Sequence, residues 1–146
     1  MKQGLQLATA VLAGVLGGSF INIGLVMLGP LLIPPPAGVD MSDMESFAAA
    51  VDSMGPQHFL FPFLAHALGT FTGALLAYRL ATDGRAWCAL GIGLFFLAGG
   101  ITAAAMIPAP AWFVILDLVA AYLPMAWLAI LLARKFQSKF ESKVAL

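Results

Sequence analysis

Residues 86–133, AWCALGIGLFFLAGGITAAAMIPAPAWFVILDLVAAYLPMAWLAILLA, contain a single charged side chain, that of Asp117. A membrane-spanning helix needs about 20 apolar residues, so this stretch is long enough for two. Pro108 and Pro110 divide it, because proline lacks a backbone N–H and is best tolerated in the first helical turn. We therefore predict two helices, over 86–107 and 111–134.

Two further stretches lack Asp, Glu, Lys and Arg, from Leu5 to Val39 and from Ser53 to Tyr78. They predict helices over 5–32 and 57–80. The first apolar run is longer than the apolar region of a signal peptide, so we expect it to be retained as a helix. Since backbone groups in lipid must bond internally, the fold class predicted is an all-α integral membrane four-helix bundle, one domain over 1–146.

The composition agrees with a membrane protein, with 62% hydrophobic and 10% charged residues and a mean hydropathy of +0.98. Soluble domains carry about 25% charged residues. The composition therefore excludes a soluble globular domain, a sizeable domain outside the membrane and a nucleic-acid-binding surface. Cys88 is the only cysteine, so neither an internal disulfide nor a CxxC redox pair can form.

The basic residues predict the orientation of the bundle. All seven lie near the two termini or beside the loop between the second and third helices. In a four-helix bundle these regions are at the same end. The loop between the first two helices instead carries only acidic charges. The positive-inside rule then places both termini in the cytoplasm. The basic residues are Lys2, Arg79, Arg85, Arg134, Lys135, Lys139 and Lys143.

The outer loop, residues 33–56, contains a predicted amphipathic helix. Ser42 and Glu45 match the S-x-x-E capping box, and Gly55 followed by Pro56 is typical of a helix end. Apolar residues recur at helical spacing between these signals, while acidic residues fall mostly on the other side. The apolar residues are Met41, Met44, Phe47, Ala48, Val51 and Met54.

Two interpretations of this acidic loop are open. The helix lies on the membrane surface or caps the bundle with its acids in water, or the acids form a cation funnel or a metal site, since hard cations prefer clustered carboxylates. No metal-loop spacing is present, so a metal is not expected. The candidates for such a site are Asp43, Glu45 and His58, with Asp40 and Asp52 nearby.

Ionisable side chains inside a span are costly and mark candidate functional sites. The spans contain two, His66 and Asp117, and Asn22 adds a strongly polar amide. At a rise of about 1.5 Å per residue, they lie about 14, 9 and 10 Å from the outer helix ends. All three fall in the outer half or near the midplane, so their depths allow them to meet within the bundle. The sequence leaves open whether His66 and Asp117 are in contact.

Small and polar residues form stripes on the first two helices. On the second helix His66, Gly69, Thr70 and Gly73 share a face, which adds Thr70 to the candidate site. Gly69 and Gly73 form one GxxxG motif, and the first helix carries another. That spacing lets helix backbones approach closely, so these motifs are predicted to pack helices. The second motif consists of Gly14 and Gly18.

The polar residues have a functional and a structural interpretation. In the functional one, His66 and Asp117 form a site linked to a proton or a cation, or anchor a polar ligand. In the structural one, Asn22, His66 and Asp117 join the helices by hydrogen bonds. Such bonds in membranes average under about 1 kcal/mol, whereas a charged Asp costs about 2.5–3.5 kcal/mol at a helix centre. Both interpretations stay open.

The basic C-terminal tail, residues 135–146, is predicted to continue the last helix into the cytoplasm. Its lysines alternate with Phe136 and Phe140. Basic clusters beside a membrane attract anionic lipid headgroups, which are the partner we expect. Binding of a protein partner is the alternative.

Three runs of residues resemble a family of small four-span bacterial proteins of uncharacterised function. The resemblance covers nearly the whole chain. It implies the four-helix fold and the bacterial inner membrane, but no activity and no site roles. The runs are MLGPLLIPPP at 27–36, FLFPFLAHALGT at 59–70 and MIPAPAWF at 106–113.

Three functional hypotheses follow from the sequence. A homo-oligomeric bundle could transport or bind a cation, a proton or a small polar solute through Asn22, His66 and Asp117. A structural or accessory membrane protein would have no substrate. A membrane enzyme is disfavoured because no Ser-His-Asp spacing, HExxH motif or phosphate loop is present. We expect no cofactor and no nucleic-acid partner.

Overall fold

The computed structural model of the chain describes residues 2–40, 42–82 and 85–144, with side-chain surroundings up to residue 138. Every regular element in these ranges is helical, which confirms the all-α class. Four segments are long and apolar enough to span a membrane: Lys2–Leu32, Pro56–Leu80, Arg85–Met106 and Ala111–Ser138. The α-helices are α1 (Lys2–Leu32), α2 (Met44–Ala50), α3 (Leu60–Leu80), α4 (Arg85–Met106), α5 (Ala111–Ala120) and α6 (Leu123–Val144).

The connections define two ends of the bundle. The acidic end carries the segment between α1 and α3 and the short α4–α5 connection at 107–110. The basic end carries the start of α1, the α3–α4 connection and the last turns of α6. Helix α3 is central, since it packs against α1, α4, α5 and α6.

Helix α1 packs along α3 through its smallest residues. Its buried residues are Ala10, Gly14, Gly18 and Gly29, while large apolar side chains on its other faces are exposed. A Cβ on Gly14 would lie 2.7 Å from the carbonyl oxygen of Gly73, and one on Gly18 would lie 2.7 Å from that of Gly69. The two GxxxG motifs therefore pack against each other within one protomer.

Alanine dominates the core toward the basic end. Small side chains allow α3, α4 and α6 to approach closely, and Tyr78, Ile92 and Ile130 fill the remaining space. Close packing of this kind is the main source of stability between helices in lipid, where hydrophobic burial drives little association. The buried alanines are Ala74, Ala77, Ala89, Ala126, Ala129 and Ala133.

The fourth span is interrupted, whereas the sequence predicts one continuous helix over 111–134. Helix α5 ends at Ala120 and α6 begins at Leu123, so Ala121 and Tyr122 lie outside both helices. Pro124 explains the break, because it has no N–H to bond the Ala120 carbonyl and its ring would clash with that group. Helical hydrogen bonds resume from Ala126 to Tyr122, at 2.9 Å.

The short helix of the outer loop forms, but with a different cap. The N-cap of α2 is Asp43, whose carboxylate accepts hydrogen bonds from the amides of Glu45 and Ser46. The predicted capping box with Ser42 as N-cap is therefore wrong. The Ser42 hydroxyl donates instead to Asp40, at 2.6 Å. Asp43 takes the N-cap position because it directly precedes the helix and Asp is as good an N-cap as Ser. Met41 lies outside the described residues.

Candidate functional site

Three side chains meet between α3 and the interrupted fourth span. His66 Nδ1 lies 2.9 Å from Asp117 Oδ1 and 2.8 Å from Oδ2. The Tyr122 hydroxyl donates to Asp117 Oδ2 at 3.0 Å, and its ring stacks on the His66 ring with centroids 5.7 Å apart. We call His66, Asp117 and Tyr122 the polar trio. The sequence placed His66 and Asp117 at similar depth, and the structure brings them into contact.

The helix break positions Tyr122, whose part in the site the sequence analysis missed. On a continuous helix, residues five apart lie about 140° apart around the axis, so Tyr122 would point away from Asp117. The irregular turn at Ala121 and Tyr122 removes that constraint. The signal in the sequence was Pro124, since a proline inside an apolar span allows a local change of direction.

The trio is buried unequally. The Asp117 side chain is 6% exposed and that of His66 is 24% exposed, while Tyr122 is among the most buried large residues. When Asp117 is ionised, its oxygens only accept hydrogen bonds, and His66 Nδ1 is then the donor to them. The other nitrogen, Nε2, makes no hydrogen bond within the described part of the chain. It can accept a proton or donate one.

His66 and Asp117 both line a cavity of about 260 Å³ in the acidic half of the bundle. Its walls come from the last turns of α1 and α4 and the first turns of α3 and α5. Apolar residues form most of these walls, and Gly29, Gly100, Ala103 and Ala104 make room between them. The aromatic residues in these walls are Phe47, Phe59, Phe61 and Phe113.

The outer loop covers the acidic end of the cavity. Val51 and Met54 are buried with Phe59 and Phe113 in one apolar cluster, against which Phe47 packs. The apolar side of the predicted amphipathic segment therefore faces the bundle at Phe47, Val51 and Met54. Met44 and Ala48 are exposed.

His58 joins the two ends of this cover. Its Nε2 lies 3.1 Å from the Pro34 carbonyl oxygen and its Nδ1 lies 3.1 Å from that of Gly55. Carbonyl oxygens accept only, and a neutral imidazole has one N–H. Both hydrogen bonds therefore form together only when His58 is the imidazolium.

The structure does not place Asn22 or Thr70 in the trio. Asn22 lies beside Gly69 on the α1–α3 contact and makes no hydrogen bond to His66 or Asp117 in the described chain. Thr70 is fully buried one turn below His66, and its hydroxyl has no hydrogen-bond partner among the described residues. Neither lines the cavity, so a ligand-binding role for either remains a prediction.

The acidic residues of the outer loop do not converge on one point. Asp43 uses its carboxylate as the cap of α2, and His58 bonds to backbone carbonyls. Hydrogen bonds from the hydroxyl and the amide of Ser42 lower the pKa of Asp40, which keeps that exposed carboxyl ionised. Within the residues described, His, Cys, Asp and Glu form no group of three or more that could hold a metal ion.

The basic end carries the start of the tail. Arg79 lies over the Phe136 ring, 5.8 Å from its centroid, and Arg85 donates to the Gln137 side chain at 3.1 Å. These contacts join the ends of α3 and α4 to α6. The side chains of Lys139, Phe140 and Lys143 lie outside the described part of the chain.

Comparison with protein families, with curated proteins and with solved structures finds no match for this chain. The four long apolar helices establish a small four-span membrane protein. The bacterial family that the sequence resembles finds no support in these comparisons.

Proposed function

We propose that this protein binds a small ligand from the acidic side of the membrane, in the cavity whose inner wall carries His66 and Asp117. One observation carries the proposal: an apolar cavity of about 260 Å³ contains a buried carboxylate paired with a partly exposed imidazole. Ligand sites in proteins combine apolar walls with a few polar groups in this way. A proton or cation passing through the trio would make the same site a transport site.

We also propose a bacterial inner membrane location with both termini in the cytoplasm. All seven basic residues support this orientation, as they lie at one end of the bundle or in its termini. The acidic end then faces outward, and the basic tail contacts anionic headgroups. A homo-oligomer is part of the proposal, because four short helices enclose little space. The paired GxxxG motifs are already used within the protomer, so other faces would form the contact.

A cavity-filling variant tests ligand binding. Ala104 lines the cavity, while its neighbour Ala105 is exposed on the outside of α4. A ligand at 100 times its dissociation constant should raise the free energy of unfolding of wild type and of Ala105→Phe by about 2.7 kcal/mol. Thermal unfolding in detergent detects this as a higher midpoint temperature. Ala104→Phe should show no shift. The panel should contain cations, anions and neutral compounds, each with a small apolar body.

A structural or accessory role is the second candidate. The bonds from Asp117 to His66 and Tyr122 support it, because they tie α3 to the break between α5 and α6. This role predicts no ligand shift for any compound and equal behaviour of Ala104→Phe and Ala105→Phe. It also predicts that Asp117 substitutions change stability alone.

A further inference from the structure

The cavity walls carry an unbalanced set of charges. Asp117 is the only carboxylate among the lining residues, which include two histidines but neither Lys nor Arg. The loop covering the cavity adds acidic residues and no basic ones. An anionic ligand would therefore lack a permanent counter-charge, whereas a cationic ligand would meet one at Asp117. The acidic loop residues are Asp40, Asp43, Glu45 and Asp52.

Electrical neutrality decides how such a ligand would bind. A carboxylate held in a low-dielectric interior without a counter-charge is strongly destabilised. An imidazolium at His66 would supply that charge, since both Asp117 oxygens lie within 2.9 Å of its Nδ1. A ligand cation beside Asp117 supplies the same charge, and the site stays neutral if His66 then loses its proton.

The apolar walls suit a cation that carries an organic body. The faces of aromatic rings attract organic cations, most strongly where water is excluded. Four phenylalanines line the cavity together with alanines and glycines. A hydrated inorganic ion would find few oxygen ligands there, since Asp117 already accepts bonds from His66 and Tyr122.

We propose that the ligand is a lipophilic organic cation and that its binding releases the proton held by His66. This rests on the proposed function of the cavity. The charges balance: imidazolium, carboxylate and incoming cation become neutral imidazole, carboxylate, bound cation and one released proton. Tyr122 acts as a positioning residue that holds the carboxylate in place through its hydroxyl.

Among the residues that the structure describes, no other charged group competes with Asp117 for His66. Helix α5 contributes Asp117, and the break before α6 contributes Tyr122. The charged and thiol groups described on α1, α4 and α6 (Lys2, Arg85, Cys88, Arg134 and Lys135) lie at the basic end. His58 lines the opposite end of the cavity and bonds backbone carbonyls.

The experiment compares ligands of one shape and different charge. Benzyltrimethylammonium carries a fixed positive charge and exchanges no proton itself, its neutral carbon isostere neopentylbenzene has the same shape, and phenylacetate is an anion. Binding to the purified full-length protein should be tightest for the cation, by about tenfold or more over either control. Its affinity should rise about tenfold per pH unit while His66 exchanges its proton, because proton and cation compete.

Calorimetry in buffers of different ionisation enthalpy counts the released protons. About one proton per bound cation is expected for wild type at a pH where His66 is charged. In His66→Gln no imidazole proton is left to release, so the pH range over which cation affinity changes should differ from that of wild type. An unchanged pH dependence would exclude His66 as the exchanging group. Asp117→Asn should lose the preference for the cation. Asp52→Asn removes an exposed carboxylate that does not line the cavity, so it should keep that preference. Circular dichroism and gel filtration check that each variant folds.

Each outcome decides between the proposals. Equal affinity for cation and neutral isostere, or pH-independent cation binding in wild type, would overturn the exchange proposal and leave ligand binding in the cavity standing. Binding of none of the three compounds, together with no ligand shift in the Ala104→Phe comparison, would remove the proposed function itself. If Asp117→Asn does not fold, the wild-type charge series and His66→Gln still decide.

Discussion

The two halves of the bundle use the same helices in different ways. Toward the basic end, glycines and alanines bring α1, α3, α4 and α6 into contact, and Gly14 and Gly18 meet Gly73 and Gly69 backbone to backbone. Toward the acidic end, the interior contains aromatic and ionisable side chains around a cavity. The tightly packed half holds the helices together, so the other half can accommodate a cavity and a buried carboxylate.

The largest loss of stability is expected from a substitution in the tightly packed half. Gly18→Ala places a methyl group 2.7 Å from the Gly69 carbonyl oxygen and against the Phe96 ring. Overpacking of this kind costs about 1–3 kcal/mol. Unfolding with increasing SDS in mixed micelles measures the loss of stability.

Gly24→Ala on the same helix is the matched control, since a Cβ there meets nothing within 4 Å. It should be neutral or slightly stabilising, because alanine is favoured over glycine in helices by up to about 1 kcal/mol. Equal effects of both variants would show that α1 does not pack on α3 through this stripe.

The next largest effect is expected from a substitution in the half that contains the cavity. Asp117→Asn removes the buried charge but keeps an oxygen that accepts the Tyr122 hydroxyl bond. We expect ligand affinity to fall about tenfold or more, equivalent to about 1.4 kcal/mol. The unfolding free energy should stay within about 1 kcal/mol of wild type, because a neutral His66 can still form a hydrogen bond to the Asn side chain. Isothermal calorimetry and SDS unfolding report the two quantities. A large loss of stability with unchanged binding would make Asp117 a structural residue.

A smaller effect is expected at the hydroxyl that supports the carboxylate. Tyr122→Phe deletes the donor to Asp117 Oδ2 and leaves the ring stacked on His66. A side-chain hydrogen bond inside a membrane protein contributes about 1 kcal/mol. Tyr78→Phe is the control, because Tyr78 is also buried and no hydrogen bond of its hydroxyl is found in the described chain. Similar losses in both variants would argue against the positioning role.

Gly100→Ala tests the same hydroxyl contact from the neighbouring helix. The added methyl group would meet the Tyr122 hydroxyl and ring, which displaces the phenol from Asp117. The higher helix propensity of alanine offsets part of that cost, by up to about 1 kcal/mol. Ligand affinity should fall as in Tyr122→Phe, whereas Gly99→Ala, with open space at its Cβ, should bind as wild type. Unaltered binding in Gly100→Ala would contradict the role of this contact.

The sequence predicts the fold well because charge-free runs mark spans directly. Proline pairs and the acidic loop separate those runs, so the helix order follows without tertiary information. His66 and Asp117 are found by the same logic, since ionisable side chains stand out in an apolar span. The glycine stripes indicate close packing but not the partner, which the structure identifies as the stripe on the neighbouring helix.

The sequence does not predict Tyr122 or the cavity. Tyr122 meets Asp117 only because Pro124 interrupts the span, and the extent of a proline distortion depends on the neighbouring helices. The cavity results from the arrangement of four chain segments and the loop that covers them. Asn22 lies at a depth similar to that of Asp117 but makes no hydrogen bond to His66 or Asp117 in the described chain. Depth in the membrane therefore does not by itself predict which side chains meet.

We propose above that His66 gives up its proton when a cation enters the cavity. Nitrogen-15 NMR of the histidine side chains reports that proton directly, and His58→Gln assigns the two imidazoles. At a pH where His66 is charged in the free protein, we expect saturation with benzyltrimethylammonium to convert His66 from imidazolium to neutral imidazole, with loss of the Nε2 proton. An imidazole that keeps its protonation state at saturation, with the cation bound, would contradict it.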